Sequence, residues 1–471
     1  MRDFQLEPGS FRDRTSRVFY ISGHVYRGLS RQAAEDWAAL SATRFFWRYV
    51  SDGRIVPTES VDPPDGLDVT QAGNWAAFLK HQAISFVSYP YEWCFGMLKD
   101  AALLQIDLLL AALNENMALK DASAFNFQWM GSRPVFIDIP SFERLKPGEP
   151  WAGYRQFCQL FLYPLMLQAY KDLPFQPWLR GCIDGIEPEQ CRNLMSAGDL
   201  LRPGVLVDVY LHAKAHSGYA NTRRDIKSEM RSAGFNKDLI VANVTRLKKV
   251  VGGLRWKRGK TEWSDYASVH SYTDQDYETK AEFVRKVVQS QRWHLVWDLG
   301  CNVGSFSKIA AENADTVVAI DSDLLSIERL YQELKAKGDA KILPLIGNVA
   351  DPSPDLGWRG LERRSLFKRG KPDLILCLAL IHHVVISANI PLNELIDWLA
   401  GLGGDLVIEF VTRQDPMVQT LLRNKLDNYA DYDTNFFEQC LRQAFDVAHQ
   451  ETLESGTRIL YYARARGEKK G

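Results

Sequence analysis

Residues 296–304 read VWDLGCNVG, and the chain returns to an acidic strand end at VVAID, residues 317–321. An apolar run carrying Asp298 enters a glycine-rich turn. A helix follows, then a second apolar run that ends in Asp321. Strand, glycine turn, helix, strand and acid, in that order, predict a βαβ unit with a ligand at the carboxyl edge of a parallel sheet. Gly300 and Gly304 let ligand and backbone approach without a Cβ between them and make positive φ accessible. Asp321 is spaced to accept hydrogen bonds from both hydroxyls of a ribose, so the expected ligand contains adenosine.

The turn also discriminates between ligands. Dinucleotide binders use three glycines, the last allowing the helix N-terminus to meet a pyrophosphate. Here Asp298 stands two residues before Gly300, and Asn302 occupies a position where a middle glycine often sits. Asn tolerates left-handed backbone better than other residues with a side chain. A carboxylate before the turn repels a pyrophosphate and suits a cationic amino-acid moiety. That chemistry points to S-adenosylmethionine and away from a nicotinamide cofactor; an ordinary βα turn is the plain alternative.

Beyond Asp321 the pattern predicts a helix over 325–337, the strand KILPLIGNV, and a fourth strand PDLILCLALIHHVV over 372–385. A helix over 392–402, the strand GDLVIEFV and a terminal antiparallel pair complete the expected α/β sheet, mostly parallel. With these motifs, residues 290–466 resemble class I S-adenosylmethionine-dependent methyltransferases. ALIHHVVISANIP followed by IEFVTRQDPMV is similar to a bacterial, nodulation-protein-like subgroup with a long N-terminal extension. The resemblance implies that Asp298, Gly300, Asn302 and Gly304, with Cys301 in the same turn, hold the methionine end of the cofactor. It implies Asp321 and Ser322 at the ribose, Asn348 and Val349 at the adenine, and Leu378 in the same site.

A chain of 471 residues is too long for one ordinary domain. The expected boundaries are an N-terminal α+β domain over 1–215, a helical connector and cofactor cap over 216–289, and the Rossmann-like methyltransferase domain over 290–471. With 46% hydrophobic and 24% charged residues the chain is globular, and a net charge of −1 gives no general attraction to nucleic acid. Seven scattered cysteines without CxxC or Cys/His spacing argue for a reducing compartment and against a metal site. MRDFQLEPGS is no signal peptide, and AALLQIDLLLAAL is too short to span a bilayer, so a cytoplasmic location is expected. No repeat marks a protein partner, and the sequence does not specify an oligomeric state.

In the N-terminal part, alternation in RVFYISGHVYRGL predicts strands, followed by a helix over 31–50 and a long helix over 94–114. Then comes ALKDASAFNFQWMGSRPVFIDIPSFE, residues 118–143. Asp121 and Asn126 stand five apart, and Asp138 follows a hairpin expected at WMGSR. In kinase-type folds a catalytic-loop Asp engages the hydroxyl nucleophile, an Asn five residues on holds metal, and a later Asp holds metal between phosphates. Such oxygen ligands are what Mg²⁺ demands. The segment resembles the corresponding loops of protein-kinase-like and aminoglycoside-phosphotransferase-like domains, which would imply a Mg²⁺-ATP site. It departs from them in Leu119 and Lys120 before Asp121, in DIP after the hairpin, and in lacking a glycine-rich phosphate loop. Lys80 is the phosphate lysine only by default. The turn preference of Asp and Asn also explains these residues.

Upstream of the first methyltransferase strand, TEWSDYASVHSYTDQDYETK carries Trp263, Tyr266, Tyr272 and Lys280 as candidates for a cap or acceptor contact; interdomain packing is the alternative. Candidate bases are His382 and His383, expected to end the fourth strand, and Glu409 near the end of the fifth; Asp415 is a weaker one. Without an NPPY-type sequence after the fourth strand, an oxygen acceptor on a small-molecule, glycan or lipid-linked substrate is favoured. Two further classes stay open: a bifunctional or regulatory kinase-like methyltransferase, and a cofactor-binding scaffold without catalysis.

Overall fold

The computed structural model describes residues 4–67, 73–214, 236–257, 273–423, 425 and 428–466. The chain divides into two compact units. One comprises Met1–Trp129, Pro134–Arg258 and Leu356–Arg363, the other Met130–Arg133, Gly259–Asp355 and Arg364–Gly471.

The first unit opens with five antiparallel strands: β1 (Phe4–Leu6), β2 (Ser16–Ile21), β3 (His24–Leu29), β4 (Thr58–Val61) and β5 (Ala77–His81), ordered β1-β2-β3-β5-β4. Ser22 and Gly23 both take positive φ, the geometry that matches a two-residue turn to the twist of a hairpin. The expected helix over 31–50 is two helices, α1 (Arg31–Ser41) and α2 (Arg44–Ser51). The break has a tertiary cause. Thr43 is extended, and the carboxylate of Glu115 accepts the Arg44 and Phe45 amide hydrogens at 2.8 Å each, starting a new helix there. Helix α3 (Phe95–Asn114) is buried on most of its circumference, as a helix apolar all round must be. After it, β6 (Met117–Leu119) pairs with β9 (Phe142–Arg144), and β7 (Phe127–Met130) forms the expected hairpin with β8 (Arg133–Phe136).

The second unit is a seven-stranded sheet ordered β12-β11-β10-β13-β14-β16-β15. Strands β10 (Trp293–Leu299), β11 (Ala314–Asp321), β12 (Ile342–Ile346), β13 (Leu374–Cys377) and β14 (Asp405–Val411) are parallel. Strand β16 (Arg458–Ala465) inserts antiparallel between β14 and β15 (Phe445–Thr452). The sheet is mostly parallel with an antiparallel terminal pair, as the sequence predicts. The central strands are apolar along their length because both faces are covered. Helix α4 (Asp274–Gln289) precedes β10, capped by the Thr273 side chain with Asp274 and Asp276 in its first turn.

A strand boundary in this unit also differs from the sequence reading. The fourth strand stops at Cys377, not at 385, so His382 and His383 do not end it. Ala379 takes φ 51°, which breaks the extended run, and a helical turn begins within 381–387. Its N–H donates to Glu409 on the neighbouring strand at 2.8 Å, a contact that residues 372–385 alone do not reveal.

Candidate functional site

The glycine turn leaves β10 at the carboxyl edge of the sheet. The Gly300 and Cys301 amides both donate to the Ile320 carbonyl, at 2.9 and 3.0 Å, which folds the turn against the end of β11. Gly300, Asn302 and Gly304 have φ of 76°, 49° and 75°. A Cβ built at Gly304 would lie 2.6 Å from Leu330 Cδ1, and one at Gly300 would lie 3.2 Å from Leu380 Cδ1. Both glycines therefore serve conformation and close packing together.

Asp321 closes this cradle. One carboxylate oxygen accepts the Asn302 N–H and the other the Asp323 N–H, each at 2.8 Å. An ionised carboxylate has about four lone-pair sites, so two remain for further donors. Asp298 lies buried beneath the turn and accepts the Ser307 hydroxyl at 2.5 Å. Burial, with Asp321 nearby, pushes its carboxyl up to about 6. Burial also raises Asp321 above the usual carboxylate range. Two carboxylates held in this way favour a cationic ligand group.

The remaining predicted contacts are more scattered in exposure. Cys301 and Leu378 are buried, Val349 is half-buried, and Ser322 and Asn348 are exposed. Asn348 follows β12, where its side-chain oxygen accepts the Ala350 amide at 2.9 Å. Trp263, Tyr266 and Tyr272 lie outside the described residues.

Lys280 is buried on α4, with its ammonium 4.8 Å from the centre of the Phe306 ring. It pairs with Glu409 at 2.5 Å. Glu409 also accepts Arg458 Nη1 at 3.1 Å on its other oxygen, and Arg458 Nε donates to Asp415 at 2.8 Å. All four side chains are buried, two of each sign. Lys280 and Arg458 outweigh burial and hold the Glu409 carboxyl below its ordinary range. Breaking such a set by removing one partner costs about 3–5 kcal/mol, because an uncompensated charge stays buried.

His382 and His383 sit with ring centroids 4.1 Å apart. His382 is fully buried, and neither of its ring nitrogens has a hydrogen-bond partner among the described residues. Burial drives its pKa well down and lowers that of His383, which is half-buried, to about 4. Both rings are neutral at neutral pH.

Within the first unit, the β6–β9 and β7–β8 pairings bring the loops of Asp121, Asn126 and Asp138 side by side. Ile137 N donates to the Asn126 carbonyl and Lys120 N to the Ser141 carbonyl, both at 2.9 Å. Asp121 is raised by burial and by Asp138. Arg27 of β3 donates to Asp138 at 3.0 Å, whereas Lys80 lies on β5 and faces Glu59 at 3.7 Å. Among the described residues, no group of three His, Cys, Asp or Glu is arranged to hold a metal ion. A cleft of about 680 Å³ lies beside this loop, lined by polar residues such as Asp36, Lys120 and Glu143 and by apolar ones such as Ala33, Pro140 and Leu145. No helix among the described residues is long and apolar enough to cross a membrane.

The sequence reading did not single out Arg458, Ala379, Leu380, Ser307 or Arg27. A signal for Arg458 was present: TRILYY and VIEFV each carry one charge at the edge of, or within, an apolar run. Buried strands with opposite charges must pair them.

No family model matches this chain. It is 32% identical over 455 residues to nodulation protein NoeA of Rhizobium meliloti (strain 1021), covering 96% of this chain and 94% of that one. Among solved structures it is similar to the N-methyltransferase NodS from Bradyrhizobium japonicum WM9 in complex with S-adenosyl-L-homocysteine (14% identity, 42% of this chain, 90% of that chain, TM-score 0.30). It is also similar to magnesium protoporphyrin IX methyltransferase from Synechocystis PCC 6803 (19%, 44%, 90%, 0.29). A third similar structure is the PH0226 protein from Pyrococcus horikoshii OT3 (16%, 44%, 100%, 0.32).

Proposed function

This chain belongs to the family of nodulation protein NoeA, and we propose that it transfers a methyl group from S-adenosylmethionine to an oxygen of a small-molecule, glycan or lipid-linked acceptor. The observation that carries the reading is the Asp321–Asn302 contact. It joins the carboxylate at the end of β11 to the left-handed turn after β10 and leaves lone pairs for two ribose hydroxyls. Asp298 beneath the turn supplies negative charge for the cofactor's amino group. Lys280 and Phe306 lie at the same end of the unit, and Asn348 with Val349 follows β12 on the adenine side.

The cofactor supplies the electrophilic methyl group; the protein's part is to bind, orient and accept a proton. Of the three candidate bases, His383 suits proton acceptance best. It is half-buried, while His382 is enclosed and both Glu409 oxygens carry cationic partners. A part in acceptor binding is assigned to the first unit.

Calorimetric titration with S-adenosylhomocysteine tests the cofactor assignment. Asp321→Ala should lose about 1.5–3 kcal/mol of binding, roughly tenfold or more. Equal binding by wild type and variant would remove the assignment, and methyl transfer to an acceptor panel then separates enzyme from scaffold. The alternative, phosphotransfer by the first unit, is motivated by the juxtaposed loops of Asp121, Asn126 and Asp138. It requires Mg²⁺-ATP binding that Asp138→Ala abolishes, and the Arg27 pairing on Asp138 disfavours it.

A further inference from the structure

Glu409 is the one acid inside the apolar run of β14, and its position explains a second anomaly, the left-handed backbone of Ala379. A residue with a Cβ avoids that conformation, since its side chain crowds the following carbonyl. At Ala379 the conformation is secured by the N–H donated to Glu409 Oε2 at 2.8 Å. The same oxygen receives Lys280 from α4, and the other receives Arg458 from β16. One carboxylate thus ties together the fifth strand, the antiparallel strand beside it, the helix before the sheet, and the turn after the fourth strand.

That turn has a direct connection to the cofactor cradle. The residue after Ala379 is Leu380, which packs over the turn: its Cδ1 would lie 3.2 Å from a Cβ built on Gly300, a close contact. The helical turn carrying His382 and His383 starts immediately beyond it. Moving Ala379 out of its left-handed conformation moves Leu380 off Gly300 and rotates both histidines.

We propose that Glu409 is a positioning residue: by holding Ala379 left-handed through its N–H, with Lys280 and Arg458 fixing the carboxylate, it seats Leu380 against the Gly300 turn and so shapes the cofactor pocket. This rests on reading that turn as the cofactor site.

The test is calorimetric titration of the full-length protein with S-adenosylhomocysteine for wild type, Glu409→Gln, Ala379→Gly and the double variant. Glu409→Gln should weaken binding tenfold or more. Glycine adopts φ near 50° without side-chain crowding, so Ala379→Gly should leave wild-type affinity within twofold and recover at least threefold of the Glu409→Gln loss. Recovery at residue 379 is not expected if Glu409 only balances charge. Affinity unchanged by Glu409→Gln, or a loss that Ala379→Gly leaves in place, overturns the proposal. Should Glu409→Gln fail to fold, Ala379→Val carries the test: a β-branched residue must leave this conformation and should show the tenfold loss, and unchanged affinity would overturn the idea. Absence of binding by wild type would instead count against the cofactor assignment itself.

Discussion

Two carboxylates under one glycine turn give the candidate site its electrostatic character. Asp298 is pushed up to about 6 by burial, with a further contribution from Asp321, while Ser307 and Lys280 act in the opposite sense. A folded-state pKa above the unfolded value means that the protonated form is favoured by folding. Its contribution to stability is fully present below the ordinary Asp value near 4 and is lost as pH rises through about 6. A cationic amine in the site reverses the preference, because it needs the ionised form. Affinity for S-adenosylhomocysteine should therefore rise about tenfold between pH 5 and pH 7.5. Titrations at both values check this, and Asp298→Asn should flatten the slope. A rise in Asp298→Asn as large as in wild type would assign the pH dependence to another group, Asp321 first.

At the level of elements, apolar periodicity locates most helices and strands, but their ends are set by partners elsewhere. The boundary between α1 and α2 depends on Glu115, far along the chain, whose carboxylate takes the first two amides of α2. Glu115→Ala should destabilise the first unit by about 0.5–2 kcal/mol, the usual range for losing a helix cap. Denaturant unfolding followed by far-ultraviolet circular dichroism reads this directly, and unchanged stability would show that water replaces the carboxylate without loss. The early end of β13 has the same kind of cause. Leu, Ile and Val continue through residues 374–386, yet the ladder stops where Ala379 turns left-handed toward Glu409.

Each unit of the whole molecule buries its own apolar core, with Phe19, Ile21 and Phe78 in the first sheet and Val296, Trp297, Val317 and Ile375 in the second. A ligand that binds only the second unit should stabilise that unit. At one hundred times its dissociation constant, S-adenosylhomocysteine should add about 2.7 kcal/mol. Differential scanning calorimetry should show the transition that depends on Asp321 moving upward; an equal shift in Asp321→Ala would trace the effect to another site. Much of this unit was legible in the sequence. The strand, glycine turn, helix and acid order is local chemistry, because left-handed φ selects Gly and Asn and buried parallel strands select continuous apolar runs. The hairpin at Gly131 was readable for the same reason. Tertiary structure alone decided the rest: Arg27 rather than Lys80 beside Asp138, β16 inserted between β14 and β15, His382 enclosed, and Glu409 bound to Lys280 and Arg458. A buried charge is stable only beside its counter-charge, and which residues become neighbours depends on strand order and helix packing, not on local sequence.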